Sequence, residues 1–168
     1  MKVDLRAFEE RDIERKIKWI NDPGNNQYLH YDLPLEYQKT LAWFRKNQGN
    51  PARLDLVIEC DSVPVGVIGL LNIDRKNNSA EYYITLGEAA YQGRGIAFQA
   101  SQMLLAKAFG ELGLHRVCLY TETENIRAQR LFERVGFQRE GQLRDELRRG
   151  DHYVSRYLYA MISPETGR

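Results

Sequence analysis

A chain of 168 residues lies within the size range of a single domain and is long enough to bury a hydrophobic core. Its composition, 43% hydrophobic and 28% charged residues, is typical of a folded globular protein and not of a disordered one. The formal net charge of +1 argues against a broad basic surface for nucleic acid or for an anionic membrane, so any phosphate site must be local. We therefore expect one domain over residues 1–168, with neither nucleic acid nor a membrane as partner.

The start of the chain has no apolar segment of signal-peptide length, and no apolar run approaches the length of a membrane span. Cys60 and Cys118 each lie inside an apolar run and form no CxxC pair, which favours free thiols in a reducing compartment. His30, His115 and His152 are far apart in sequence, so we predict no metal site. Together these patterns predict a cytoplasmic protein.

Hydrophobic periodicity predicts the secondary structure in chain order. A strand near residues 3–7 is followed by two helices, near 10–21 and 35–47, with a break at 21–26 and an aromatic loop at 27–33 between them. Three strands at 54–60, 63–74 and 79–86 come next, and their short connections favour antiparallel hairpins. A long helix after residue 95, a strand at 117–121, a helix at 126–135 and a hairpin of 138–148 with 152–162 complete a mixed α/β (α+β) layer fold.

The most informative segment lies where the third of these strands gives way to the long helix, and it reads Gln92-Gly93-Arg94-Gly95-Ile96-Ala97. Glycines let backbone N–H groups approach a ligand, and the first N–H groups of a helix have no intrahelical acceptor, so this pattern indicates a pyrophosphate site. The alternative is a loop whose glycines only permit a tight turn. No P-loop sequence is present, and the dinucleotide fingerprint fails because Phe98 occupies its last glycine position.

A second segment, residues 125–137, reads NIRAQRLFERVGF. The first segment resembles the Gln/Arg-x-x-Gly-x-Gly/Ala signature of the GNAT acyltransferase superfamily, and the second is similar to that family's Asn-x-x-Ala-x-x-Leu-Tyr-x-x-x-Gly-Phe block. The resemblance extends over nearly the whole chain. It implies a mixed, mostly antiparallel sheet of about seven strands, flanked by helices and splayed between the fourth and fifth strands.

The resemblance also implies acetyl-CoA as co-substrate and a set of residues that bind it. Backbone groups of Ile84 and Leu86 would pair with the pantetheine arm in the gap between the splayed strands. The pyrophosphate would lie in the loop that begins at Gln92, against N–H groups of residues 93–98. Asn125 would contact the pantetheine arm, and the same residue is also suited to cap the helix that follows it.

Transfer of an acetyl group to an amine requires that an ammonium acceptor first lose its proton, and a carboxylate is the expected base. Some GNAT enzymes place that base on the fourth strand, where Glu81 is the candidate; the alternative is a solvated strand glutamate. Tyr83 shares the face of Glu81 and is a second catalytic candidate or an orienting group. The family often protonates the departing thiolate with a tyrosine, but this chain has Phe132 there, which we expect to be core; water or Tyr120 would then serve.

The acceptor is the least determined part of the function. The N-terminal helices are similar to a branch that acetylates nucleotide-linked amino sugars, which favours an amino sugar, bound by Tyr28, His30, Tyr31 and Arg144. The closing hairpin is shared with N-terminal acetyltransferases of ribosomal proteins and with polyamine acetyltransferases, so both remain alternatives. A non-catalytic acyl-CoA sensor is an alternative of another class. We expect a small-molecule amine as partner, and a homodimer is frequent among relatives.

Overall fold

The computed structural model describes residues 1–164, which form one seven-stranded sheet covered by helices. The strands are β1 (Val3–Ala7), β2 (Leu54–Cys60), β3 (Val63–Asp74), β4 (Ser79–Leu86), β5 (Arg116–Glu122), β6 (Gln138–Arg149) and β7 (His152–Ile162). Their order in the sheet is β1-β2-β3-β4-β5-β7-β6. The predicted mixed, mostly antiparallel α/β architecture is confirmed, and the strand bounds differ from the predicted ones by no more than one residue.

Five α-helices connect the strands: α1 (Ile13–Asn21), α2 (Pro23–Asn26), α3 (Tyr37–Lys46), α4 (Ile96–Ala106) and α5 (Ile126–Val135). A short 3-10 turn, Glu10–Asp12, precedes α1, and a π-helical turn, Lys107–Glu111, extends α4. The predicted break at residues 21–26 is only partly correct, because α2 forms within it. Asp22 caps this one-turn helix by accepting a hydrogen bond from the Gly24 N–H, and Pro23 occupies the first helical position, where a missing N–H costs nothing.

Every neighbouring strand pair is antiparallel except β4 with β5, which is parallel. The β4–β5 pairing covers only three residue pairs, Ser79 with Arg116, Ala80 with Val117 and Glu81 with Cys118. Beyond Glu81 the two strands separate, while β4 remains paired with β3 as far as Leu86. The predicted splay between the fourth and fifth strands is therefore confirmed.

The hydrophobic core lies between the sheet and the helices α4 and α5. Strand alternation sends Ala80 and Tyr82 of β4 into it, where the Tyr82 hydroxyl hydrogen bonds Ser101 of α4 at 2.6 Å. The opposite face of β4 carries Glu81 and Tyr83, which point away from that core toward the side covered by α1 and α3. Strand β4 thus separates a core face from a face that is available to a substrate.

Candidate functional site

A cleft of about 970 Å³ opens where β4 and β5 separate, and it extends past both faces of β4. Its wall is formed by the separating strands, the start of α4, one face of α5, the loop before α3, and side chains from α1 and α3. Ligand clefts commonly form where neighbouring strands of an α/β sheet diverge and a helix N-terminus faces the gap. This cleft brings together most, but not all, of the residues that the sequence predicts for the site.

The glycine loop at the start of α4 has the backbone conformation that its sequence predicts. Gly93 and Gly95 have φ angles of +75° and +79°, the left-handed region that favours glycine, and a Cβ at either position would meet no atom of the chain within 4 Å. The first intrahelical hydrogen bond of α4 runs from the Gln99 N–H to the Gly95 carbonyl. The N–H groups of Ile96, Ala97 and Phe98 precede that bond, so they are suited to hold an anion.

The two long side chains of the loop, those of Gln92 and Arg94, differ in whether they line the cleft. Gln92 lines the cleft, and its Nε2 donates to the carbonyl of Leu86 at 3.3 Å and to the Asn25 side chain at 3.4 Å, which fixes the loop to the end of β4. Arg94 lies outside the cleft lining, with its guanidinium 5.3 Å from the ring centroid of Tyr91. The structure therefore gives Gln92 a positioning contact and brings no part of the Arg94 side chain to the cleft.

Sequence reasoning missed three arginines of α5 that line the cleft beside the glycine loop: Arg127, Arg130 and Arg134. Their spacing of i, i+3 and i+7 places them on one face of the helix, so the sequence contained the signal. Arg127 reaches Gln92 at 3.5 Å, and the guanidinium of Arg134 lies 4.5 Å from the ring centroid of Phe98. This basic row, together with the helix N-terminus, is complementary to a polyphosphate.

Ile84 and Leu86 both line the cleft, on the part of β4 that has no partner in β5. The Leu86 carbonyl already accepts the bond from Gln92. Asn125 caps α5, since its Oδ1 accepts a hydrogen bond from the Ala128 N–H at 3.3 Å, as expected of an N-cap residue. Its side chain also lines the cleft, so capping and ligand contact are compatible.

Glu81 lies on β4 at the last residue pair before the strands separate, and its side chain lines the cleft. Burial raises the pKa of Glu81, while Arg156 and a hydrogen bond from the Asn72 side chain lower it. Among residues 1–164, no lysine, arginine or histidine nitrogen lies within 4.0 Å of its carboxylate. Glu81 is thus a partly buried carboxylate without an ion-pair partner, which is the condition that a general base needs.

Tyr83 lines the cleft two residues further along β4, but its hydroxyl is engaged. It donates a hydrogen bond of 2.6 Å to Oδ1 of Asp55 on β2. Burial and the Asp55 carboxylate hold the pKa of Tyr83 well above its usual value. A tyrosine in this state holds its proton and is not suited to act as a base, so its contribution here is to the shape of the cleft wall.

Phe132 of α5 is buried in a cluster of four rings with Tyr82, Phe137 and Tyr159, at centroid distances of 5.8, 6.1 and 6.4 Å. The expectation that it is a core residue agrees with this packing. Tyr120 of β5 also lines the cleft, and the guanidinium of Arg156 lies 4.6 Å from its ring centroid. The pKa of Tyr120 is raised by burial and by Cys118 and Glu81, so the phenol keeps its proton.

The aromatic loop before α3 reaches the cleft, whereas the fourth predicted acceptor residue does not. Tyr28, His30 and Tyr31 all line the cleft. His30 approaches Glu122 at 3.0 Å, and two nitrogens of Arg149 also bond this buried carboxylate. Arg144 is exposed on β6 and is absent from the cleft lining, so the prediction that it binds the acceptor in this cleft has no support from its position.

The seven-stranded sheet splays between β4 and β5, and a glycine loop and an arginine row lie at one end of the gap. Together these features define an acyl-CoA-dependent N-acyltransferase. A sequence profile described as the acetyltransferase (GNAT) domain matches residues 2–138, so the chain belongs to the GNAT acetyltransferase family. Membership supports an acyltransferase enzyme that uses acetyl-CoA, and it does not favour the non-catalytic sensor.

Two relatives and one solved structure illustrate the similarity. The chain is 33% identical over 165 residues, 97% of this chain and 91% of the relative, to an uncharacterized N-acetyltransferase of SPbeta prophage origin from Bacillus subtilis. It is 30% identical over 146 residues to a spermidine N(1)-acetyltransferase from Vibrio cholerae, which covers 86% of this chain and 83% of that protein. It superimposes on the crystal structure of the Vibrio cholerae spermidine N-acetyltransferase in complex with CoA and spermine with a TM-score of 0.89, at 26% identity over 96% of this chain and 95% of that one.

These names agree better with the polyamine alternative than with the amino sugar that the N-terminal helices suggested.

Two further observations concern the described part of the chain alone. Within residues 1–164 no helix is long and apolar enough to cross a membrane. The same residues contain no group of three or more histidine, cysteine, aspartate or glutamate side chains placed to hold a metal ion.

Proposed function

We propose that this enzyme transfers the acetyl group of acetyl-CoA to a primary amine that binds beside Glu81. The observation that carries the proposal is the state of that carboxylate. Of the two carboxylates that line the cleft within residues 1–164, Glu122 is held by Arg149 and His30, whereas Glu81 has no ion-pair partner. Because burial raises its pKa, Glu81 is also a stronger base than an exposed glutamate.

The residues around the cleft suggest how the coenzyme is held. In this proposal the N–H groups of residues 93–98 and the arginine row of α5 bind its phosphates, and the free backbone edge at Ile84 and Leu86 bonds the pantetheine arm. Asn125 contacts the same arm from the start of α5. The thioester carbonyl then lies near the point of separation of β4 and β5, within reach of an amine on the Glu81 face.

The chemistry requires one proton acceptor and one proton donor. Glu81 takes one proton of the incoming ammonium, directly or through water, and the neutral nitrogen attacks the thioester carbonyl. When the tetrahedral adduct collapses, the C–S bond breaks and the nitrogen releases a second proton, which replaces the one that the thiolate takes up. A thiol of reference pKa about 8.5 leaves without a strong acid, so proton delivery from Tyr120 or from water is sufficient. Phe132, which has no proton to give, takes no part in this step.

A polyamine is the second candidate for the acceptor, and the similarity to the spermidine N-acetyltransferases favours it. The test is release of free thiol from acetyl-CoA in the presence of spermidine, a nucleotide-linked amino sugar, an N-terminal peptide and simple primary amines. We expect amine-dependent thiol release with at least one acceptor, and acetylated product by mass spectrometry. Binding of acetyl-CoA without turnover on any amine of the panel contradicts the proposal.

Self-association is also proposed, because a dodecameric structure of the Vibrio cholerae spermidine N-acetyltransferase is among the similar structures, with a TM-score of 0.83 at 25% identity. Sedimentation equilibrium distinguishes a monomer of 19.6 kDa from any assembly. A single species at the monomer mass across the micromolar range contradicts it.

A further inference from the structure

Lys16 is a buried lysine whose ammonium reaches the substrate cleft. It lies on α1, and only 8% of its surface is exposed, yet it is part of the cleft wall. Its Nζ lies among three aromatic rings, at 3.6 Å from the ring centroid of Trp43, 5.7 Å from that of Phe8 and 5.9 Å from that of Tyr31. Cation–π attraction offsets part of the cost of this burial, but it leaves the three N–H donors of the ammonium without acceptors.

No carboxylate among residues 1–164 forms an ion pair with this ammonium. Within residues 1–164, no carboxylate lies within 4.0 Å of Lys16 Nζ and no group accepts a hydrogen bond from it. Asp55 is the carboxylate whose charge acts on it, but both oxygens of Asp55 are occupied by Arg53, at 3.1 and 3.0 Å, and one also by Tyr83. Within the group formed by Lys16, Arg53 and Asp55, one positive charge therefore remains in excess.

The excess charge lies on the acceptor side. Lys16 and Trp43 come from α1 and α3, which cover the face of β4 that carries Glu81 and Tyr83. The glycine loop and the arginine row belong to α4 and α5, which pack on the opposite face. An acetyl-CoA molecule held by that loop and that row would bring its phosphates to their end of the cleft, so they would not neutralise Lys16.

We propose that Lys16 binds an anionic group of the acceptor, a carboxylate or a phosphate, and that it selects primary amines bearing such a group over polyamines. The inference rests on the proposed function and specifies its substrate class. Burial lowers the pKa of Lys16 to about 8, which is the expected result for an ammonium that lacks a counter-ion. A polyamine that places one nitrogen beside Glu81 would bring its other charges toward this ammonium, and repulsion would oppose its binding.

Matched acceptor pairs test the selection by thiol release from acetyl-CoA. The carboxylate arm compares 4-aminobutyrate with 4-aminobutanamide, the phosphate arm compares O-phosphoethanolamine with ethanolamine, and spermidine is the polyamine arm. A charge-assisted hydrogen bond is worth about 10- to 100-fold in binding, so in at least one arm we expect the anionic amine to exceed its neutral partner by that factor in kcat/KM. A wild-type enzyme that prefers spermidine to every anionic amine overturns the proposal.

Three variants separate the charge of Lys16 from its packing. Lys16→Met keeps the length of the side chain within the aromatic cage and should bring the anionic-to-neutral ratio close to one. Lys16→Arg keeps the positive charge that Lys16→Met removes, and it should keep a preference for the anionic amine. Lys18→Met is the matched control, because Lys18 lies on the same helix with 76% of its side chain exposed, and it should keep the wild-type ratio. An unchanged ratio in Lys16→Met overturns the proposal.

A binding measurement without turnover distinguishes failure of this inference from failure of the proposed function. Butyrate and inorganic phosphate are titrated into the CoA-saturated protein labelled with ¹³C-lysine, and the Cε resonance that is missing from Lys16→Met is followed. A saturable shift with either anion supports the site even if no amine of the panel is acetylated, in which case only the proposed function fails. No shift with either anion overturns the site, whatever the turnover.

Discussion

The hydroxyl of Tyr83 donates a 2.6 Å hydrogen bond to Asp55, although its side chain lines the same cleft as Glu81 two residues earlier. The bond crosses from β4 to β2, so it fixes the ring against the sheet and leaves the proton on the oxygen. Of the two residues predicted for catalysis, only Glu81 therefore has a group free to accept a proton.

Replacement of Glu81 by glutamine tests the base. Glu81→Gln keeps the shape of the side chain but removes the basic oxygen, so turnover at neutral pH should fall by about 10²–10⁴-fold with acetyl-CoA affinity nearly intact. The loss should shrink as pH rises, because solution then supplies the neutral amine. The wild-type rate should fall as pH drops through the raised pKa of Glu81. Glu111→Gln removes an exposed carboxylate of the π-helical turn as a control, and wild-type rates for Glu81→Gln at every pH would make Glu81 a structural residue.

The backbone phosphate site is tested by an isosteric pair at Gly95. Asparagine and aspartate both tolerate the left-handed conformation that Gly95 adopts at φ +79°, so Gly95→Asn and Gly95→Asp carry similar steric and conformational costs. The aspartate adds a negative charge where the pyrophosphate is expected, and calorimetric titration should show far weaker acetyl-CoA binding for it than for the asparagine variant. Equal affinities in the two variants contradict a pyrophosphate at this loop.

Phe132 is expected to act through packing alone. Phe132→Leu should lower the free energy of unfolding by about 1 kcal/mol, because it alters the shape of a buried ring cluster, and should leave the chemical step nearly unchanged. Phe137→Leu is the matched control, since Phe137 belongs to the same cluster but does not line the cleft. Denaturant unfolding and single-turnover rates are measured for both. A rate loss confined to Phe132→Leu, at equal stability, would give the ring a role in the reaction.

The buried ammonium of Lys16 predicts a specific pH dependence of stability. Its pKa is about 8 in the folded protein and 10.5 when unperturbed, so between these values the unfolded chain binds more protons than the folded one. The free energy of unfolding of the wild type should therefore rise relative to that of Lys16→Met as pH increases from about 8 to about 10.5. Below about pH 8 the methionine variant should be the more stable of the two.

The groups that face Lys16 do not obscure this window. Although burial opposes it, the pKa of Arg53 is raised by its bonds to Asp55, so Arg53 keeps its charge through this window, and burial raises the pKa of Tyr31 above its usual value of 10.0. Urea unfolding at several pH values measures the difference, with Lys18→Met as the control that should follow the wild type. Parallel pH profiles for the wild type and Lys16→Met would show that the ammonium is not buried in solution.

Much of the fold could be predicted because its signals are local. Apolar runs bounded by turn residues mark β2, β3 and β4 to the residue, and the short turns between them favour antiparallel pairing. The conformation of the glycine loop can be predicted equally well, because glycine is the residue that favours the left-handed backbone found at Gly93 and Gly95. Helix α1 is predicted less accurately. Ile13, Ile17 and Ile20 recur at helical spacing, which predicts that all three are buried, but Ile17 is half-buried while Lys16 next to it is buried.

The acceptor side could not be predicted because its interactions join residues that are distant in sequence. Glu122 meets Arg149 and His30 only after β5, β6 and the aromatic loop converge, and no spacing rule links them. A lysine in a helix is normally assigned to the solvent face, so nothing in the pattern marked Lys16. The arginine row of α5, on the opposite side of the sheet, could be predicted, because its helical spacing is visible in the sequence.

Within residues 1–164, the three residue pairs between β4 and β5 are the only strand pairing that joins the four strands on one side of the sheet to the three on the other. A molecule lying in the gap touches both parts, so the energy with which it binds also holds the two parts together. In the proposed binding mode the co-substrate stabilises the sheet as well as donating the acetyl group, and the enzyme should be mechanically weakest in the interval between releasing one coenzyme and taking up the next.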